Sequence, residues 1–136
     1  MTPFPAPVRT PLSEPWWEGL AQGRLLFQRC NACNHAWLPP RAECPECLGD
    51  SWQWHKASGS ARLISWVVYH SAYHEWFRDK LPYNVAVVEL DEGPRLISSV
   101  LSPGPSRIEQ RLALVIQQEE GIALPRFRCA DESRAA

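Results

Sequence analysis

The chain has 136 residues, with 14 Lys or Arg against 15 Asp or Glu and a formal net charge of −1. This length suits one compact unit or two very small ones and excludes a large multidomain enzyme. The even spread of charge argues against a general nucleic-acid binder. No apolar run approaches the ~18 residues of a membrane span, and the N-terminus has no apolar signal segment, so we expect a cytoplasmic protein without a membrane partner.

Residues 1–23 are predicted to form a proline-rich arm followed by a short helix. Five prolines fall within the first 15 residues, and they disfavour the interior of a helix or a sheet. Ser13 is suited to capping the helix with its side chain, and Gly23 is suited to ending it. This helix would carry Trp16 and Trp17.

Four of the five cysteines form two C-x-x-C pairs separated by ten residues. Two residues between ligands allow a knuckle to turn both sulfurs toward one ion, and the interval between the pairs accommodates a short hairpin. The pattern predicts a zinc ribbon over residues 24–57, with Asn34 and Gly49 as turn residues. A redox dithiol is the less favoured interpretation, and iron in the same sulfur cage stays open. The predicted ligands of a structural Zn²⁺ are Cys30, Cys33, Cys44 and Cys47.

Residues 58–129 are predicted to form a five-stranded OB-fold barrel, which makes the chain mainly β, and residues 130–136 a flexible tail. Turn signals separate segments of β-forming residues, and no helical pattern exceeds a turn or two. An SH3-like barrel or an open sandwich fits the same pattern. The predicted strands are Arg62–His70, Asn84–Asp91, Arg95–Leu101, Leu112–Gln118 and Ile122–Arg128.

Seven tryptophans are many for so small an interior. Four aromatic residues lie outside the predicted sheet, in segments that this fold is expected to be least able to bury, and such rigid side chains often mark the centre of an interface. Packing on the ribbon is the alternative. The predicted interface residues are Trp16, Trp17, Trp76, Phe77 and the neighbouring Arg78. Arginines suited to carboxylates or phosphates, with a solvated surface as the default, are Arg41, Arg78, Arg95, Arg126 and Arg128.

The sequence predicts no catalytic site of its own. His70, His74 and Glu75 lie close together, but the spacing of the two histidines suits one metal only on a helix, and Pro82 does not favour a helix there. We interpret them as polar loop residues. The chain alone is therefore expected to have no activity.

Ordered motifs in four segments resemble the family of domain of unknown function 35, over roughly residues 14–130. They are PWWEGLAQGRL at Pro15–Leu25, CNACN and PPRAECPECL within Cys30–Leu48, PYNVAVVELDEGPR at Pro82–Arg95, and LPRFR at Leu124–Arg128. The resemblance implies a rubredoxin-like zinc ribbon joined to an acyl-CoA-associated OB fold.

The same resemblance implies an accessory subunit in a hetero-oligomer. Its partner would be a thiolase-like enzyme, either a lipid-transfer-protein-type thiolase or aldolase or an acyltransferase, with acyl-CoA at or near the interface. Steroid side-chain degradation and polyketide acylation are the implied pathways. A MaoC-like enoyl-CoA hydratase is the alternative partner. A nucleic-acid-binding module is the alternative of another class, which the apolar, acidic-ended segment Val85–Asp91 disfavours.

Overall fold

The structure is a computed structural model that describes residues 9–70, 83–101, 104–119 and 121–130. These ranges contain one helix and eight strands, as the mainly β prediction requires. No helix among them is long and apolar enough to cross a membrane. The helix is α1 (Glu14–Ala21), and the strands are β1 (Leu26–Cys30), β2 (Ala36–Trp37), β3 (Trp52–Lys56), β4 (Ser60–Tyr69), β5 (Tyr83–Leu90), β6 (Arg95–Ser98), β7 (Arg111–Glu119) and β8 (Ile122–Cys129).

The first three strands form an antiparallel sheet in the order β2-β1-β3. Strand β1 pairs with β3 along its whole length, from Leu26 opposite Lys56 to Cys30 opposite Trp52. The short β2 pairs on the other side of β1. Because Cys30 ends the central strand, the first cysteine knuckle begins where the sheet ends.

The other five strands form one antiparallel sheet in the order β6-β5-β4-β7-β8. The sheet curls until the chain after β6 runs parallel to β8. There the N–H of Phe127 donates to the carbonyl of Ser99 at 3.1 Å, and the N–H of Leu101 donates to the carbonyl of Phe127 at 2.7 Å. This order and this short parallel contact match the predicted OB fold, which is a partly open five-stranded barrel.

Helix α1 starts differently from the prediction. Ser13 precedes it, but the Ser13 hydroxyl makes no capping bond to the helix and its backbone is already helical, with φ −85° and ψ −10°. The hydroxyl instead accepts the N–H of Thr10 at 3.0 Å. The predicted side-chain cap is therefore wrong, because the Thr10–Ser13 turn occupies the group that would form it. Gly23 follows the helix at φ 85°, the left-handed conformation expected of a residue that ends a helix.

One hydrophobic core joins the two sheets. Leu25 and Phe27, from the ribbon segment, are buried in the same cluster as Leu63 and Phe127 from the barrel. Helix α1 contacts both β1 and β8, and its Leu20 is fully buried in the shared cluster. Burying a Leu or Phe side chain stabilises a fold by about 1.5–3 kcal/mol. The ribbon and the barrel therefore depend on shared side chains for their stability.

A row of charges crosses three barrel strands. The strand register places Arg62 opposite Glu89 and Glu89 opposite Arg95. Arg62 Nε donates to Glu89 Oε1 at 2.7 Å, and Arg95 Nε donates to Glu89 Oε2 at 3.1 Å. These two bonds hold the pKa of Glu89 below its usual range, and the bond from Arg62 contributes most.

Candidate metal centre and docking surface

The two cysteine knuckles repeat one backbone pattern. In the first, the N–H of Asn34 donates to the carbonyl of Cys30 at 3.0 Å, and in the second the N–H of Leu48 donates to the carbonyl of Cys44 at 2.8 Å. The residue after the second cysteine is left-handed in both, with φ 69° at Asn34 and 62° at Leu48. Asn34 was predicted for this role, whereas the prediction of Gly49 is wrong because the turn falls one residue earlier.

The four cysteine sulfurs converge on one point. Cys30 Sγ lies 3.6 Å from Cys47 Sγ, Cys33 Sγ lies 3.6 Å from Cys44 Sγ, and all four lie within 4.8 Å of one another. Four sulfurs bound to zinc at ~2.3 Å are about 3.8 Å apart in a tetrahedral site. Cys30 and Cys44 are buried while Cys33 and Cys47 are exposed, so the ion would lie at the edge of the ribbon. The residues present fit a structural Zn²⁺ with no free coordination position.

Backbone donors favour the Cys30 thiolate, but the crowding of the sulfurs opposes ionisation of all four cysteines together. The N–H groups of Cys33 and Ala32 donate to Cys30 Sγ at 3.4 and 3.3 Å. The bond from Cys33 contributes most, and these bonds outweigh burial to lower the pKa of Cys30 to about 6. The N–H of His35 favours the Cys33 thiolate, but burial and the neighbouring sulfurs, first that of Cys44, raise the pKa of Cys33 to about 12. The four cysteines can therefore all be thiolates only when a cation is bound, and binding of the cation releases their protons.

Tryptophans supply the interior of the ribbon. Trp37 is buried with Cys30 and Cys44, and Trp52 packs against this cluster. The rings of Trp37 and Trp52 meet edge to face with centroids 6.4 Å apart. The Trp52 indole Nε1 donates to the carbonyl of Ala42 at 2.8 Å, which ties the segment between the knuckles to β3. The metal and two indoles thus form the interior at the knuckle end of the ribbon, apart from the core that the ribbon shares with the barrel.

The two predicted interface residues on α1 differ in exposure. Trp17 is only 9% exposed and belongs to the shared core, so the expectation that its segment is among those least able to bury an aromatic side chain is wrong for this residue. Trp16 is half-buried, and its ring meets that of Trp17 edge to face with centroids 4.7 Å apart. The helix packs on both β1 and β8, which provides the interior that the sequence did not reveal. A part for either residue in an interface stays a prediction.

A groove of about 710 Å³ lies between α1, the segment after β2 and the barrel strands. Its walls are mainly apolar. Representative lining residues are Trp16, Leu38, Pro40, Leu96, Leu124 and Arg126.

The buried Gln28 of β1 helps to shape this groove, because its side chain bonds both backbone groups of Arg41, next to Pro40. Sequence reasoning missed Gln28. Gln28 directly follows the apolar run Leu25–Phe27 and precedes Arg29, so the local sequence contains no sign that its side chain is buried.

The remaining predicted site residues cannot be placed. Trp76, Phe77 and Arg78 lie outside the described residues, as do His74 and Glu75.

Comparison with known proteins identifies the architecture. Residues 17–53 match the family model of the ChsH2 rubredoxin-like zinc ribbon domain, and residues 54–117 match that of the ChsH2 C-terminal OB-fold domain. The chain is 36% identical over 95 residues to a DUF35 domain-containing scaffold protein of Methanothermobacter thermautotrophicus, covering 68% of this chain and 71% of that protein. This chain belongs to the DUF35 family. The predicted structural Zn²⁺ is thereby confirmed at the four-cysteine cluster of this DUF35 chain.

A second relative is longer than this DUF35 chain. It is a probable enoyl-CoA hydratase alpha subunit of Thermomonospora curvata, 37% identical over 118 residues. The matched region is 85% of this chain but 36% of that protein, so the chain spans about a third of that relative's length.

Two solved structures share the fold. A chain of the Ltp2-ChsH2(DUF35) aldolase superposes with a TM-score of 0.80 at 33% identity, covering 91% of this chain and 98% of that chain. A DUF35-family protein of unknown function from Sulfolobus solfataricus superposes with a TM-score of 0.67 at 15% identity, covering 88% and 86%. The second likeness concerns the fold alone.

Proposed function

We propose that this DUF35 chain is a non-catalytic, zinc-binding subunit that binds a thiolase-like enzyme and helps to form or stabilise its acyl-CoA site. The observation that carries the proposal is the likeness to a chain of the Ltp2-ChsH2(DUF35) aldolase, which extends over 98% of that chain. A likeness of this extent supports the same kind of assembly, because it includes the ribbon, the helix and the barrel together.

Exposed apolar side chains on rigid elements support a docking role. Leu48 occupies the left-handed position of the second knuckle, a backbone conformation that is unfavourable for leucine. Its side chain is 71% exposed. Ile97 is 72% exposed on β6, beside the groove. Such residues next to a concave apolar surface are typical of protein interfaces. The bound zinc would fix the position of Leu48, because that residue directly follows the ligand Cys47.

The predicted aromatic anchors belong to the same proposal. Trp16 lines the groove, and Trp76 and Phe77 would become buried on association. Arg78 would form a polar rim or reach a phosphate of coenzyme A. Trp17 would contribute indirectly, because its buried side chain holds α1 on the shared core.

A second partner class is favoured by one observation. The probable enoyl-CoA hydratase alpha subunit of Thermomonospora curvata contains a region 37% identical to this chain. A MaoC-like hydratase is therefore the alternative partner, and acyl-CoA is the chemistry that both candidates share.

The test is purification of the full, affinity-tagged chain from its source, followed by identification of the associated enzyme by mass spectrometry. We expect a thiolase-like enzyme whose retro-aldol or thiolase activity on acyl-CoA thioesters falls when this chain is removed. The chain alone should turn over none of these thioesters, since the partner would supply the nucleophile or the base. Steroid and polyketide acyl-CoA substrates assayed in parallel distinguish the two proposed pathways. Recovery of a hydratase would favour the alternative, and robust turnover by the chain alone would exclude an accessory role.

A further inference from the structure

The parallel contact that closes the barrel ends at Pro125. If the parallel ladder continued two residues back from Phe127, the N–H of residue 125 would donate to the carbonyl of Ile97. Residue 125 is a proline, which has no N–H. Pro125 offers only its carbonyl, which accepts the hydroxyl of Ser98 at 2.8 Å. The sheet therefore splits between β6 and β8, and this split runs along the groove.

The split leaves one edge of β6 unpaired, formed by Arg95 and Ile97 and called here the open edge. Backbone groups alternate in direction along a strand. Val100 bonds through both backbone groups to the side chain of Asn84 on β5, whereas the carbonyl of Ser99 bonds to β8. By this alternation Arg95 and Ile97 direct their N–H and C=O groups into the split, and no hydrogen bond within the described residues engages them there. An unpaired edge of this kind is a template for another strand.

Arg126 adds a positive charge to the groove wall. Its guanidinium donates to the carbonyl of Pro125 at 3.1 Å, and no carboxylate among the described residues forms an ion pair with it. Burial lowers the pKa of Arg126, and the charge of Glu119 offsets this only in part. A carboxylate entering the groove would compensate the half-buried charge.

An apolar stripe leads away from the groove over the outer face of the barrel. Val67 lies opposite Val85, and Val87 lies opposite Ile97. Val67 is 52% exposed and Ile97 is 72% exposed. Because Val87 and Ile97 also line the groove, the stripe and the groove form one continuous surface.

We propose that the groove receives an extended segment of the partner enzyme, which adds to the open edge and places a carboxylate against Arg126. The inference rests on the proposed function, since the segment belongs to the enzyme that this chain assists. Backbone hydrogen bonds to Arg95 and Ile97 would supply affinity, and alternate apolar side chains would enter between Trp16 and Leu124. Arg126 would select an acidic residue or a chain terminus, which sets the chemistry of the segment.

Peptides provide the first test. A random heptapeptide library displayed on phage is panned against the full zinc-loaded chain, and enriched peptides are expected to combine alternating apolar residues with an Asp or Glu. Their affinities are measured by fluorescence anisotropy. Ile97→Pro removes an N–H from the open edge and leaves the β5–β6 bonds in place, while Arg126→Gln removes the charge. Each is expected to weaken binding by about tenfold or more.

Matched controls separate the open edge from its surroundings. Ile97→Val retains the N–H, and Arg128→Gln removes an exposed arginine two residues along β8; both should bind within about twofold of the original chain. Equal binding by all four variants, or no common motif among the enriched peptides, overturns the inference. So does a loss for Ile97→Val as large as that for Ile97→Pro. If Ile97→Pro does not retain zinc and its melting temperature, the comparison of peptide affinity between Arg126→Gln and Arg128→Gln decides the question.

A crosslink identifies the occupant in the complex. Leu124, in the groove, is replaced by a photoreactive benzoylphenylalanine, and the complex with the co-purified enzyme is irradiated. We expect a crosslink to an extended acidic segment of that enzyme. A crosslink to residues 2–8 of this chain, or to acyl-CoA alone, overturns the inference and leaves the proposed function standing. A crosslink to such a segment in an enzyme that is not thiolase-like upholds the groove's role and refutes the proposed partner.

Discussion

The side-chain amide of Gln28 pairs with both backbone groups of Arg41, accepting its N–H at 2.8 Å and donating to its carbonyl at 2.8 Å. Gln28 is fully buried in the central strand of the ribbon. Its amide therefore acts as a strand neighbour for a segment that has no strand of its own. The groove wall at Pro40 depends on this pairing, since Pro40 directly precedes Arg41.

Replacing Gln28 by Leu should lower the free energy of unfolding by about 1–3 kcal/mol, because the N–H and C=O of Arg41 lose their partners beside a buried position. Urea unfolding of the zinc-loaded protein measures the change. Gln53→Leu, at an exposed position on β3, is the control and should change stability by less than about 0.5 kcal/mol. Equal losses for the two variants would show that the pairing contributes nothing.

Removing zinc should abolish the cooperative unfolding of the knuckle end of the ribbon, because Cys30, Cys44 and Trp37 form a small cluster of their own, apart from the core that the ribbon shares with the barrel. Metal analysis should find about one zinc per chain, and Cys44→Ser should reduce this to none. Cys129→Ser is the control, since Cys129 lies outside the four-sulfur cluster. A metal-free protein that melts as cooperatively as the zinc-loaded one would refute a structural role for the ion.

Leu48→Asn should stabilise the protein by about 0.5–1 kcal/mol, because asparagine tolerates the left-handed backbone better than leucine. Asn34 already occupies the equivalent position in the first knuckle, so the reverse change, Asn34→Leu, should destabilise by a similar amount. Thermal melts at saturating zinc compare the three proteins. A loss of stability in Leu48→Asn would mean that the exposed leucine makes contacts that outweigh its backbone strain.

Glu89→Gln should reduce the sensitivity of the protein to acid. The pKa of Glu89 is lowered in the folded state, chiefly by Arg62 and then by Arg95. Its stabilisation is therefore present above the unfolded-state pKa of about 4.3 and is lost as the pH falls through the folded-state pKa. Urea unfolding at pH 7 and at pH 4 should show a smaller difference between the two pH values for the variant. Protonation of the cysteines acts on both proteins alike, and Glu46→Gln, at an exposed position, is the control.

Trp17→Ala and Trp76→Ala should affect different properties, folding stability for the first and partner association for the second. Trp17 belongs to the shared core, so its truncation should cost about 3–5 kcal/mol of folding stability. Trp76→Ala should instead weaken association with the partner enzyme by about 2 kcal/mol or more, as is typical of an interface hot spot, and leave zinc content and melting temperature unchanged. Binding titrations and melts on both variants distinguish the cases. An unfolded Trp76→Ala variant would assign that residue to the fold.

The metal site could be predicted because its chemistry is local. A C-x-x-C pair must turn within four residues, so the spacing of Cys30 and Cys33 already specifies the knuckle. The barrel strands could be predicted for the same reason, since alternation and turn residues act between near neighbours.

The groove could not be predicted, because it depends on contacts between segments far apart in the chain. In the sequence, Pro125 is compatible with any edge strand. Its effect on pairing follows only from the position of the segment around β6 beside β8. Trp17 likewise reads as an exposed anchor until α1 is placed between β1 and β8.

The shared core also constrains how such chains diversify. The two family models meet between residues 53 and 54, inside β3, while Phe27 from one side and Phe127 from the other are buried in a single cluster. An exchange of ribbons between relatives by recombination at that junction would join mismatched halves of one interior, and most chimaeras should fail to fold. Metal dependence and the barrel's recognition surface are therefore expected to be inherited as a unit.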